Sequence, residues 1–272
     1  MEGSRAQRLA AEGVGTALLL ATVVGSSIMA ERLADGNRAL ALLANSLATG
    51  AGLAAFILAL GPISGAHFNP VVTAVAVWRR ELPRRELGPY VAVQIGGALA
   101  GVVAAHLMFG GPLLAASAHA RHGAGQLFSE GLATFGLMLV ILGTARRRPG
   151  AVPFAVGTYI TAAYWFTAST SFANPAVTLA RAVTDSAAGI HPADVLPFVA
   201  AQLVGGMAAA GMFGWLTGPA SAQAVGAPAR PRLAATAPGR ATGAARRPPP
   251  ATPRCATPAS RPRGGRRRSR RR

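Results

Sequence analysis

One cysteine, no lysine and only nine acidic residues occur in 272 positions. The lone thiol, Cys255, excludes a disulfide within the chain and a thiolate metal cage. No nucleophile–base pair, metal cluster or phosphate loop stands out, and His106, His119, His122 and His191 lack metal-ligand spacing. No enzymatic activity, catalytic residue, cofactor or bound metal is therefore expected. Charge is scarce too: 13% of residues are charged against 51% hydrophobic, with mean hydropathy +0.36. These values disfavour a soluble domain and indicate a membrane protein.

The net charge of +18 misleads, because 14 arginines and no acid lie from Ala220 onward. The remainder carries 13 arginines against 9 acids. That all 27 basic residues are Arg fits coding bias in a GC-rich genome. The tail, 218–272, is built of Pro, Ala, Arg and Thr and is too poor in large apolar residues to bury a core. It is expected to be disordered and cytoplasmic, with no specific nucleic-acid binding. The first apolar segment is too long for a cleavable signal and is interrupted by Glu12.

What the chain does have is one phrase written twice. Asn69-Pro70-Val71-Val72-Thr73 and Asn174-Pro175-Ala176-Val177-Thr178 are near-copies inside hydrophobic sequence. Asn-Pro is a helix start, since Pro is tolerated in the first turn and Asn caps the free donors. Each phrase precedes an apolar run too short to cross a bilayer. Two half-helices beginning within the membrane are the result, with positive dipole ends at a repeat interface.

Six other stretches can cross roughly 30 Å of hydrocarbon at ~1.5 Å per residue. They are approximately 9–30, 40–60, 88–109, 127–145, 152–168 and 193–216, the fifth being short. Residues 1–8 precede them as an expected cytoplasmic N-terminus, and 9–217 form the expected membrane domain. Ala11-Glu12-Gly13 recurs as Ser129-Glu130-Gly131, and Pro89-Tyr90-Val91-Ala92-Val93-Gln94 as Pro197-Phe198-Val199-Ala200-Ala201-Gln202. Two halves, about 9–109 and 127–216, thus hold three spans each, and an odd number inverts the second half. Gly96-Gly97 and Gly205-Gly206 lie at matched positions and are expected to let helices approach closely.

Arg5, Arg8, Arg79, Arg80, Arg84, Arg85 and Arg146 to Arg148 fall on one side of this layout, with the tail. Arg32, Arg38, Arg121 and Arg181 fall on the other, offset by Glu31, Asp35, Asp185 and Asp194. The excess of arginine therefore places both termini in the cytoplasm, with the protein in the plasma (inner) membrane.

Six spans, an inverted repeat, Ser64-Gly65-Ala66-His67-Phe68-Asn69-Pro70 and Phe172-Ala173-Asn174-Pro175-Ala176 resemble the aquaporin/aquaglyceroporin (major intrinsic protein) family. The resemblance covers about 8–217 and excludes the tail. It implies an all-α membrane protein with six transmembrane helices plus two re-entrant half-helices in an inverted 3+3 repeat. It implies a passive channel with one pore per subunit, usually a homotetramer, whose partners are water, small neutral solutes and lipid. Asn69 and Asn174 would donate side-chain N–H bonds to the permeant. Val71 stands where the family usually has Ala. His67 matches the loop histidine beside the pore, and Glu12 and Glu130 match buried acids that brace the re-entrant loops. A proton relay is the other reading of an intramembrane carboxylate.

At the selectivity filter the chain departs from the family. An Arg usually follows the second Asn-Pro-Ala; here that position is Val177, with Arg181 one turn later. Family spacing gives Thr49, Ala162 and Ser171 as the other filter positions. Thr, Ala, Ser and Val predict a wide, uncharged and mildly polar constriction, suited to glycerol-like polyols or metalloid hydroxides such as arsenite. Closure of the pore by Tyr164, Trp165, Phe166 or Phe172 after a small backbone shift is the alternative to a wide filter, and a plain water channel is the alternative function. An ion-coupled transporter fits less well, because no charged substrate ligand lies mid-span.

Overall fold

Eight α-helices carry residues 3–218, the part of the chain described in the computed structural model. They are α1 (Arg5–Leu33), α2 (Arg38–Ser64), α3 (Pro70–Trp78), α4 (Leu87–Phe109), α5 (Ala124–Arg147), α6 (Val152–Phe166), α7 (Pro175–Arg181) and α8 (Val195–Leu216). Among the described residues five helices are long and apolar enough to cross a membrane: α1, α2, α4, α5 and α8. The sixth span, α6, has 15 residues and reaches only about 23 Å. A 3-10 turn, Pro149–Ala151, leads into it, and Thr167 takes an extended conformation that sends the chain into the second re-entrant loop. The Arg-rich tail lies outside the described residues.

Local sequence sets the helix ends. Ser4 and Gln7 exchange side-chain and backbone bonds at the start of α1, and Asn37 caps α2. The half-helices α3 and α7 begin at Pro, capped by Asn69 and Asn174.

The two halves pack by the same rule. Helix α1 lies against α2 and α4, as α5 lies against α6 and α8, and α2 meets α6 between the halves. Each half-helix touches the last span of its own half and that of the other, and α3 also meets α7. The close crossings use Gly97 against the Gly13 carbonyl and Gly205 against the Gly131 carbonyl, where a Cβ would meet backbone. Gly96, paired with Gly97 in the sequence, has nothing near it and lies on the outer face; it takes no part in the crossing.

Polarity is turned inside out. Glu12, Gln94, Glu130 and Gln202 are fully buried, whereas Leu196, Val204, Phe128 and Trp215 stand exposed on the outside. A hydrocarbon solvent accounts for that distribution, since it rewards no segregation of apolar side chains inward.

Candidate functional site

The two re-entrant loops, 65–69 and 170–174, share one backbone design. Gly65, Ala66 and Phe68 have φ of 91°, 47° and 47°, and Thr170, Ser171 and Ala173 have 61°, 52° and 48°. Five of these six carry a Cβ, and left-handed backbone costs such residues about 1–3 kcal/mol each. The buried acids offset it. Glu12 accepts hydrogen bonds from Ser64 Oγ (2.8 Å), His67 N (2.9 Å), Phe68 N (2.7 Å) and Gln94 Nε2 (2.9 Å). Glu130 accepts from Phe172 N (2.8 Å), Ala173 N (2.9 Å) and Gln202 Nε2 (2.7 Å). Each carboxylate collects the N–H groups that the turned backbone leaves without helical partners. Glu12 takes two hydrogen bonds on each oxygen, and Glu130 takes one on Oε1 and two on Oε2.

Gln94 and Gln202 also donate to Thr73 Oγ1 (3.0 Å) and Thr178 Oγ1 (2.8 Å). Those threonines spend their own protons on the Asn69 and Asn174 carbonyls. The His67 Nδ1, 3.1 Å from Thr73 Oγ1, must therefore be the donor in that contact. The glutamines were visible in the sequence only as repeat markers; their role rests on the three-dimensional pairing.

At the centre the two loops are cross-tied. Asn69 Oδ1 accepts from Val71 N, and Asn174 Oδ1 from Ala176 N and Val177 N. Asn69 Nδ2 donates to the Ala173 carbonyl, and Asn174 Nδ2 to the Phe68 carbonyl. Each amide has a second N–H beyond this cross-loop bond, and both asparagines line a cavity of about 230 Å³. Pro70, Val71, Pro175 and Ala176 sit behind them in the helix starts. Val71 is fully buried, and its Cγ1 occupies the space that a Cβ on Gly206 would need. The larger residue in the first phrase is thus matched by a missing side chain on α8.

The cavity runs past both asparagines, from Glu81 and Ala145 at one end to Tyr164 and Arg181 at the other. One side is helical and apolar: Leu53 and Ile57 of α2, Ile141 of α5, and Val156 and Ile160 of α6. The loops supply the other side, with Ala66, His67, Asn69, Ser171 and Asn174. Of the four filter residues predicted, Thr49, Ser171 and Val177 line it. Ala162 does not; it is exposed on the outer face of α6, and Tyr164 occupies the wall. Two residues are about 200° of helix rotation, so the counted position faces away. The Tyr164 hydroxyl donates to Thr49 Oγ1 at 3.3 Å, which fixes the ring between α6 and α2. A stripe at every fourth residue, Val152, Val156, Ile160 and Tyr164, is the signal that identifies the lining face.

Arg181 also departs from its expected place among the loop arginines. It is 2% exposed, lines the cavity and sits with Cζ 3.4 Å from the Phe172 ring centroid. Arg121, from the α4–α5 loop, approaches the same ring at 4.9 Å. Its side chain donates to the carbonyls of Gly189, Ser169 and Ala187. Burial lowers the Arg121 pKa from its ordinary value, with Glu130 opposing. Among the described residues no cluster of three or more metal-binding side chains occurs.

Five membrane-length helices and the shorter α6, with two half-helices meeting at their N-termini around an internal cavity, define a membrane channel. The description "MIP: Major intrinsic protein" matches residues 2–171. The chain is 52% identical over 214 residues to aquaglyceroporin AqpS of Rhizobium meliloti (strain 1021), covering 79% of this chain and 91% of that one. It is 34% identical over 241 residues to probable aquaporin AqpM of Archaeoglobus fulgidus, covering 78% and 97%. The X-ray structure of the aquaglyceroporin from Plasmodium falciparum superposes with a TM-score of 0.65 at 19% identity, covering 81% of this chain and all of that one. The protein belongs to the major intrinsic protein family and is a passive channel for water and small neutral solutes.

Proposed function

We propose that this channel favours uncharged solutes bulkier than water, such as glycerol-like polyols and metalloid hydroxides such as arsenite, with water passing beside them. The observation that carries the reading is Val177 in the cavity wall, in the position that family resemblance assigns to Arg. With Thr49 and Ser171 it leaves that level of the pore free of a guanidinium. The opposed apolar and polar sides suit a solute with carbon on one face and hydroxyls on the other. The relative named an aquaglyceroporin supports the same reading.

Asn69 and Asn174 act as central donors, and the opposed dipole ends of α3 and α7 disfavour cations there. Glu12 and Glu130 are structural. A plain water channel is the second reading, favoured by Tyr164 in the wall where the sequence placed a small Ala162. Fluxes of water, glycerol and arsenite into proteoliposomes of purified protein decide between them. Glycerol or arsenite flux well above empty liposomes supports the first reading, and water flux alone the second.

We further propose a homotetramer in the inner membrane with both termini cytoplasmic. Arg5 and Arg85 both reach Glu86, so two of the arginines that orient the chain share one end of the bundle. Cross-linking in native membranes and protease access to the tail in sealed vesicles test these points.

A further inference from the structure

The charge missing at Val177 is present one helical turn away. Arg181 follows Val177 by four residues on α7, a rise of about 6 Å toward the end of the half-helix. Among the described residues it is the only arginine lining the cavity, and no carboxylate pairs with it. Its guanidinium is instead held by neutral groups. Nε donates to the Ala188 carbonyl, the Phe172 ring lies beneath Cζ, and the C-terminal end of α7 favours a cation. A buried guanidinium without an ion-pair partner is costly in a membrane protein and marks a functional position. In the same cavity the Ser171 hydroxyl is buried and has no hydrogen-bond partner. A passing hydroxyl-bearing solute satisfies Ser171; a cation meets the positive charge of Arg181 one turn further on.

We propose that Arg181, stacked on Phe172, is a second cation barrier of this pore, added to the dipole ends at Asn69 and Asn174. The field usually placed beside the second Asn-Pro-Ala is displaced outward by one turn, which excludes protons and metal cations without narrowing the level of Val177. The inference rests on reading the cavity as the permeation path. It differs from a purely structural role, in which Arg181 would only tie down residues 182–190.

The test uses proteoliposomes of the native protein, Arg181→Gln and Arg181→Lys. Proton and potassium leak under an imposed potential is divided by water flux, so that the amount of folded channel cancels. Arg181→Gln is expected to raise that ratio by about tenfold or more, and Arg181→Lys to restore most of the exclusion. An inserted, water-conducting Arg181→Gln with the native ratio overturns the proposal. So does a native protein that itself passes potassium, a measurement that needs no variant to fold. Glycerol flux is read separately: its absence defeats the polyol reading and leaves the leak ratio interpretable.

Discussion

Asn69 and Asn174 each give one amide proton to the other's loop: Nδ2 of Asn69 lies 2.8 Å from the Ala173 carbonyl, and Nδ2 of Asn174 lies 2.7 Å from the Phe68 carbonyl. The two caps therefore hold the half-helices end to end as well as starting them. Replacing Asn174 by Asp turns a donor into an acceptor beside the Phe68 carbonyl. Water flux is expected to fall at least tenfold, with thermal stability in detergent lower by about 1–3 kcal/mol. Native flux and stability would show that the cross-tie is dispensable.

Val71 and Gly206 form a matched pair, so Gly206→Ala alone drives a methyl into Val71 Cγ1. The expected cost is about 1–3 kcal/mol from overpacking. Val71→Ala with Gly206→Ala should recover most of it, giving a coupling above about 0.5 kcal/mol in a double-mutant cycle. Additive losses would mean that the two side chains do not compete for one space.

Glu12→Gln preserves shape but replaces one accepting oxygen by an NH₂ group, against the four donors that converge on Glu12. One or two N–H groups are left unpaired, at about 1–3 kcal/mol each. Lower melting temperature and reduced yield of folded protein are expected. Solute uptake should stay downhill and unaffected by collapsing a pH or sodium gradient; accumulation above the external concentration would make the acid a proton site instead.

Tyr164→Ala opens the wall beside Thr49. Glycerol flux relative to water is expected to rise severalfold if the tyrosine narrows the path. An unchanged ratio in folded protein would put the restriction elsewhere.

Much of this was written in the sequence because it was written twice. Inverted repetition of Glu12 and Glu130, of Gln94 and Gln202, and of the Asn-Pro pair announces the spans, their sense and the two half-helices. Position-by-position geometry was less legible. Counting back from Val177 fixes a distance along the chain but not a face of α6: Val152, Val156, Ile160 and Tyr164 line the cavity, and Ala162 lies on the exposed face between them. The left-handed conformations of Ala66, Phe68, Ser171 and Ala173 have no signature in residue type: Phe68 N and Ala173 N are held by Glu12 and Glu130, and Ala66 N and Ser171 N by the hydroxyls of Ser64 and Ser169. Arg181 looked like a loop charge; only the Phe172 ring and the Ala188 carbonyl, both distant from any charge pattern, explain its burial.

The central claim is that Val177 sets a neutral, open level in the pore, and Val177→Arg tests it most directly. An arginine there places a permanent cation and several donors between Thr49 and Ser171. Insertion is checked first, since a buried unpaired guanidinium costs at least a few kcal/mol. The measurement is the ratio of glycerol to water permeability in proteoliposomes. A fall of about tenfold or more is expected, because water can still hydrogen-bond past the new side chain in single file. A folded variant with the native ratio would contradict the account, because Val177 would then not line the level that selects the solute.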